Sequence, residues 1–433
     1  MNRRDFLKRA GLLSAGAIAA PYILPSGRIF AATGSQRVGH VVFCLFAGGI
    51  RNLESMHKAE GNLMPFTLSG NETISPDIAA MLTALPSSPL GQPLQNYGTL
   101  FKEFRYLSGP TGHFNGHTTA VTGQYTDNNL SLRNHPKNPT VFELYRKFSD
   151  PQKAAINTWW ITNNNDVYPI LNFSDSAGFG AAYGANHLSP LNLFNYQIGT
   201  KLSNMLTFTQ DQDEKNEMVR DFMNRKFAAG GAKPSDGVVN PASDRARIQS
   251  FITRMFTERL AGQHNNPWGT GVMSWDMRNI FYAEEVIKEF KPELTVVNIT
   301  GVDVAHTDFT GYCDNLRMAD YAASHLWHTI ESTPGMAGDT VLIMMPEVGR
   351  NSQPNSILDV NGRGALDHTS SDPMAREIFC LIAGPPGIIR QGQVISSVEG
   401  ESIDIVPTIA DLLGFEAGAS AYLPGRALTQ AFI

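Results

Sequence analysis

Apolar residues along this chain gather into short continuous runs rather than alternating ones. Residues 40–46, 154–161, 294–299, 340–345 and 377–383 are stretches rich in Val, Ile, Leu, Phe and Trp, flanked by polar or turn-forming residues. Runs of this length without alternation read as strands buried on both faces, the pattern of a largely parallel sheet covered by helices. Three of them border ligand-type residues. The 294–299 run leads into Asp303, His306 and Asp308, the 340–345 run leads into Glu347, and Asp367 with His368 precedes the 377–383 run. Parallel sheets place their chemistry at the carboxyl ends of strands, so these side chains are expected to converge on one edge.

Between the runs the apolar period lengthens to that of helices. Residues 140–147 read as a short helix opened by Asn138-Pro139, 276–290 as an amphipathic helix feeding the 294–299 strand, and 315–330 as one leading out of it. Residues 403–415 read as a packing helix with Pro407 near its start. From 174 to 271 strand runs give way to Gly, Asn, Ser and Asp, with helical spacing at 210–218 and 245–256 and a flexible loop at 228–237, so this stretch is expected to be a helical insertion or cap. No internal repeat is visible. Strand, helix, strand, loop, strand in the second half is a doubly wound α/β order.

Composition narrows the class. The 433 residues carry a net charge of −6, and the 34 Lys and Arg form no basic block beyond the first nine residues, so a nucleic-acid groove is not indicated. Hydrophobic residues make up 42% beside 39 Gly and 25 Pro, which describes a loop-rich globular protein. Two of the three cysteines, Cys44 and Cys380, sit inside strand-like runs as small buried hydrophobes, and no CxxC or HExxH spacing occurs. Any metal site is therefore assembled from residues distant in sequence. Residues 2–8, AsnArgArgAspPheLeuLys, form a twin-arginine motif ahead of a mildly apolar stretch and a small-residue cleavage site at Ala31-Ala32. The first 32 residues are thus expected to be an export signal engaging the twin-arginine translocase, with the mature protein acting in the periplasm or outside the cell and containing no transmembrane span.

Asp303, His306, Glu347 and His368 combine imidazole and hard oxygen donors without thiolates, which suits zinc, manganese, magnesium or calcium. Such an ion would polarise a phosphoryl or sulfuryl oxygen of an ester. The competing reading is that the carboxylates cap helices, Asp308 above all, while the histidines bond to loops. A second cluster, ThrGlyHisPheAsnGlyHisThrThrAlaValThrGlyGlnTyr at 111–125, sets a Gly/Asn-rich turn before a small-residue helix. The amino terminus of that helix suits an anion, or the segment is a simple hydroxyl cap with two solvent-facing histidines.

ProGluValGlyArgAsn at 346–351, the later AspHis pair, GluIlePheCysLeuIleAlaGlyProProGly from 377, CysLeuPheAlaGlyGlyIleArgAsnLeuGlu at 44–54 and PheAsnGlyHis at 114–117 together resemble a DUF1501-type, exported, sulfatase-like family placed in the alkaline phosphatase superfamily. The resemblance spans most of residues 38–415. It implies an alkaline-phosphatase-like α/β/α sandwich with a mostly parallel central sheet, metals at the carboxyl edge and an anionic ester as substrate. Carried across by residue, it also implies departures. His117 and Thr122-Gly123 keep the superfamily's phosphodiesterase frame, but its nucleophile position falls on His113, as ligand or attacking group, with Thr111, Thr118 or Thr119 as hydroxyl substitutes. No carboxylate stands at 47–49, leaving Glu54 as a possible fifth ligand, and Glu347-Val348 replaces an AspHis strand end. Two functions follow: a metal-dependent phosphate or sulfate ester hydrolase with a divergent site, or a catalytically degenerate binding or assembly protein of the envelope.

Overall fold

The computed structural model describes residues 36–127, 135–163, 171–194 and 237–433. The twin-arginine motif, the 210–218 helix and nearly all of the 228–237 loop lie outside these residues. Eight strands form one sheet: β1 (His40–Phe46), β2 (Gly98–Arg105), β3 (Thr158–Thr162), β4 (Asn186–Leu188), β5 (Leu294–Ile299), β6 (Thr340–Pro346), β7 (Glu377–Ala383) and β8 (Gln393–Glu401). Their spatial order is β4-β3-β5-β1-β6-β7-β2-β8. Pairing is parallel everywhere except around β7, which runs against both of its neighbours, β6 and β2.

The principal helices are α1 (His113–Thr122), α2 (Val141–Phe148), α3 (Ala242–Leu260), α4 (Trp275–Phe290), α5 (Phe309–Ser332) and α6 (Ile405–Leu413). They cover both faces of the sheet, and β1 shows why its run is continuous. Val42, Cys44 and Phe46 face a core shared with α4 and α5, whereas Val41, Phe43 and Leu45 face a second core shared with α2 and α6. Successive strand residues point to opposite faces, so a strand covered on both sides needs apolar side chains at every position. This is an α/β sandwich with a mostly parallel sheet.

Helix boundaries follow local chemistry. Thr140 caps α2 through a reciprocal bond with Glu143 that satisfies two otherwise unpaired amides. Asp308 accepts from the Gly311 amide at 2.8 Å and so starts α5 six residues before the 315–330 pattern suggested. Gly414, at φ +77°, ends α6 in the left-handed conformation. Of the 174–271 stretch, the described residues show the short strand β4 and the 19-residue helix α3, whose Ile248, Phe251, Ile252 and Met255 pack into the α4 core. Cys44, Cys313 and Cys380 are all free and buried. Among the described residues no helix is long and apolar enough to cross a membrane.

Strand register places the functional edge. Phe46 is opposite Ile299 on one side and Pro346 on the other, so β1, β5 and β6 end level. The reversal of β7 brings the loop before it, carrying Asp367 and His368, to that same edge.

Candidate metal centre

The turn after β1 is built for close approach. Gly48 has φ +101°, and a Cβ there would lie 2.7 Å from the Asp303 nitrogen. Its amide donates to Glu347 Oε1 at 2.6 Å. Gly48→Ala therefore faces both a disfavoured backbone conformation and a collision with backbone, and is expected to cost on the order of 2–4 kcal/mol. Urea denaturation of the variant checks this, and an unchanged midpoint would contradict it. Gly116 on α1 plays the same part against β6: a Cβ there would come within 3.0 Å of Glu347 Cβ. That contact sets α1 directly over the end of β6, with His113 and His117, one turn apart, both meeting Glu347.

Four side chains then converge. His113, Asp303, His306 and His368 each offer a donor atom, and these atoms all lie within 4.8 Å of one another. His306 Nε2 is 3.0 Å from His368 Nε2, which is 3.1 Å from His113 Nε2. Asp303 Oδ1 closes the circuit at 3.1 Å from His113 Nε2 and 3.4 Å from His306 Nε2. A closed ring with edges of this length has its centre roughly 2 Å from each corner, the bond length zinc takes to imidazole nitrogen and carboxylate oxygen.

The outer nitrogens decide what the inner ones present. His113 Nδ1 meets Glu347 Oε1 at 2.6 Å, His306 Nδ1 meets Asp367 Oδ1 at 2.8 Å, and His368 Nδ1 meets the Thr111 carbonyl at 2.8 Å. All three partners are oxygens that accept, so each Nδ1 donates outward and each Nε2 faces the ring. A cation at the centre would be held by three imidazole nitrogens and a carboxylate oxygen once His113 gives up its inner proton. Carboxylate or carbonyl partners behind ligating histidines are the usual arrangement that fixes ring orientation at a metal. The donor set therefore fits a divalent ion of the zinc or manganese type.

Electrostatics agree with the geometry. Burial would raise Asp303, but His113, Arg350 and His306 outweigh it and hold the carboxyl well below its usual range. Glu347 is likewise buried, yet the His117 and His113 imidazoles keep it ionised. Burial, with the nearby charges of His113 and Arg350, pushes His368 down to about 3, leaving it neutral at physiological pH. Burial pulls His113 downward too, but the Glu347 and Asp303 carboxylates prevail and raise it to about 9. Without an ion His113 is thus an imidazolium, and a metal entering the ring displaces that proton.

The expected site residues separate into distinct places. Asp303, His306 and His368 lie in the ring, and His113 lies there with them. Glu347 stands behind His113, its Oε1 held by that imidazole and by the Gly48 amide. Glu54 is elsewhere, clasped by both ends of the buried Arg51 guanidinium at 2.6 and 2.7 Å, a pairing that consumes its carboxylate. Thr118 is buried in the middle of α1, and its carbonyl accepts from Thr122 Oγ1 at 2.7 Å. Thr111 donates its hydroxyl to the His368 carbonyl at 2.7 Å. Asp308 is a helix cap. Asp367, which reads as a companion of His368, orients His306. Arg350 was not singled out by the sequence; its only signal there is its place in the ProGluValGlyArgAsn motif, three residues after Glu347.

No protein-family model matches this chain, and no curated protein matches it. Among solved structures, it is similar to wild-type alkaline phosphatase PafA, with a TM-score of 0.46 and 12% identity over 92% of this chain and 99% of that one. It is also similar to the phosphonate monoester hydrolase SpPMH from Silicibacter pomeroyi, with a TM-score of 0.43 and 14% identity over 90% of this chain and 76% of that one. A third is BT1596, a 2-O GAG sulfatase, with a TM-score of 0.42 and 10% identity over 87% of this chain and 70% of that one.

Proposed function

We propose that this chain is a divalent-metal-dependent hydrolase of phosphate or sulfate esters, exported by the twin-arginine route and acting in the bacterial envelope. One observation carries the catalytic reading: three histidines, each with Nδ1 committed to an outer acceptor, aim their Nε2 atoms at a point shared with Asp303 Oδ1. The twin-arginine motif at residues 2–8 supports the export reading. A bound ion would polarise the ester oxygen and make water more acidic.

The chain's own residues supply the rest. His306 and Asp367 form the open mouth of the ring, with side chains 34% and 41% exposed. α1 points its amino terminus, the positive end of its dipole, at the same edge, which favours an anionic ester group there. The Thr111 hydroxyl is spent on the His368 carbonyl, so water rather than this threonine is the attacking group in this reading.

The DUF1501-type resemblance of the 44–54, 114–117 and 346–351 motifs is consistent with this assignment. A second reading, an envelope binding or assembly protein without catalysis, draws on a different observation. Asp303 and Glu347 face the His113 imidazolium and Arg350, so the charges of the site balance without an ion.

Elemental analysis of the purified full chain, followed by turnover of 4-nitrophenyl phosphate, bis-4-nitrophenyl phosphate and 4-nitrophenyl sulfate, separates the two. Stoichiometric divalent metal and ester turnover that both disappear in Asp303→Asn support the hydrolase. A folded, metal-free protein inert after incubation with zinc and manganese favours the binding protein.

A further inference from the structure

Arg350 follows β6 by four residues, and its side chain is 0% exposed. Its guanidinium is surrounded by acceptors from three segments. Nη1 donates to the Leu366 carbonyl at 2.6 Å, Nε to the Gly49 carbonyl at 3.2 Å, and Nη2 to the Gly48 carbonyl and to Asp303 Oδ1, the latter at 2.9 Å. The Gly48 and Gly49 carbonyls belong to the turn after β1, Leu366 immediately precedes Asp367, and Asp303 follows β5. A planar fork of donors reaches four acceptors in these directions, whereas an ammonium is a point charge on a flexible stem.

Resting on the metal reading of this same site, we infer that Arg350 is a resident cation of the centre: it orients Asp303 toward the three imidazoles and restricts the centre to one divalent ion. Asp303 Oδ1 already faces Arg350 at 2.9 Å and His113 Nε2 at 3.1 Å. Paired-ion centres hold their ions roughly 3.5–4 Å apart, close enough to share a carboxylate. Here that same Oδ1 is already shared with a guanidinium, which has no lone pair to offer and repels a second dication brought to this carboxylate. Glu347 does not build a second position, because its Oε1 is held by His113 Nδ1 and the Gly48 amide and its Oε2 meets His117 Nδ1. Among the described residues, His113, Asp303, His306 and His368 are the one convergent group of metal-type donors.

The test is native mass spectrometry of the zinc-saturated full chain, with zinc affinity measured by chelator competition for wild type, Arg350→Lys, Arg350→Met, Asp303→Asn and the Arg350→Lys, Asp303→Asn pair. One zinc per chain is expected. Arg350→Lys should weaken zinc at least tenfold at unchanged stoichiometry, with circular dichroism showing the fold retained, and Arg350→Met should weaken it further. If Arg350 acts through Asp303, the pair loses no more affinity than Asp303→Asn alone. Two zinc ions in wild type, wild-type affinity in Arg350→Lys, or losses that simply add in the pair would overturn the inference. Should Arg350→Met fail to fold, wild-type stoichiometry and the lysine cycle decide. No zinc in wild type would overturn the metal reading itself, and this inference with it.

Discussion

Replacing His368 by Ala is expected to abolish stoichiometric metal binding, lowering zinc affinity by more than about 100-fold, because it removes one corner of a four-cornered ring. His368 Nε2 is the ring atom joined to both other imidazoles, at 3.0 and 3.1 Å. Its neutrality at physiological pH makes it a ready donor. The stability consequence runs through mass action. An ion at a thousand times its dissociation constant adds about 4 kcal/mol to the folded state, so chelation should lower the melting temperature of wild type and leave that of His368→Ala unchanged. Without metal the variant should sit within roughly 1–2 kcal/mol of wild type: the Thr111 carbonyl loses its donor, while one inward lone pair is removed. Calorimetry with and without a chelator reads both quantities. A variant that retains zinc would remove His368 from the centre.

The second large effect lies in the helical layer, on α4. Glu284 is 2% exposed on α4, against α5, and accepts from Trp268 Nε1 at 3.3 Å. Burial raises its carboxyl from 4.5 to about 8, more than the Lys288 charge and the bonds from Trp268 and Thr329 can offset. The folded state therefore holds a proton that the unfolded chain releases. A group raised in this way contributes stability that is complete below pH 4.5 and declines as pH climbs toward 8. Glu284→Gln keeps the shape and removes the titration. It is expected to raise stability by roughly 4 kcal/mol near pH 7.5 and to change it little at pH 4. Urea midpoints at the two pH values give the comparison. Equal shifts at both would show that the gain comes from packing rather than from the proton.

Much of the scaffold was legible because burial on both faces writes itself into composition. β1, β5, β6 and β7 appear as unbroken apolar runs since every position is covered. β2 and β8 were not legible for the opposite reason. β2 carries Lys102, Glu103 and Arg105, and β8 exposes Val394 and Val398 at the edge of the sheet, so neither forms a run. β8 is an edge strand, half in water, and β2 beside it, though paired on both sides, is only partly covered at Lys102, Glu103 and Arg105, so neither has a continuous apolar signature. The helix starts show the same division. Asp308 betrays its cap through local chemistry, whereas α2 is capped by Thr140 rather than opened at Asn138-Pro139, and Thr310 in the first turn of α5 is held by Asp359 from a distant loop.

The sequence by itself determined that carboxylates and imidazoles border the central strands, and that no thiolate or basic surface competes with them, because those are properties of residue identity and run length. Which of these residues face the centre was decided only by the tertiary structure. Glu347 and His113 illustrate this: the close seat of Gly116 on Glu347 brings α1 in until His113 stands between that carboxylate and the ring. The reversed β7 delivers His368 and Asp367 from the far side, and the Arg350 guanidinium closes the side facing Gly48. Whether a donor binds an ion or steadies a neighbour that does is a matter of ångströms and tautomers set by packing between segments hundreds of residues apart. No periodicity in the chain records them.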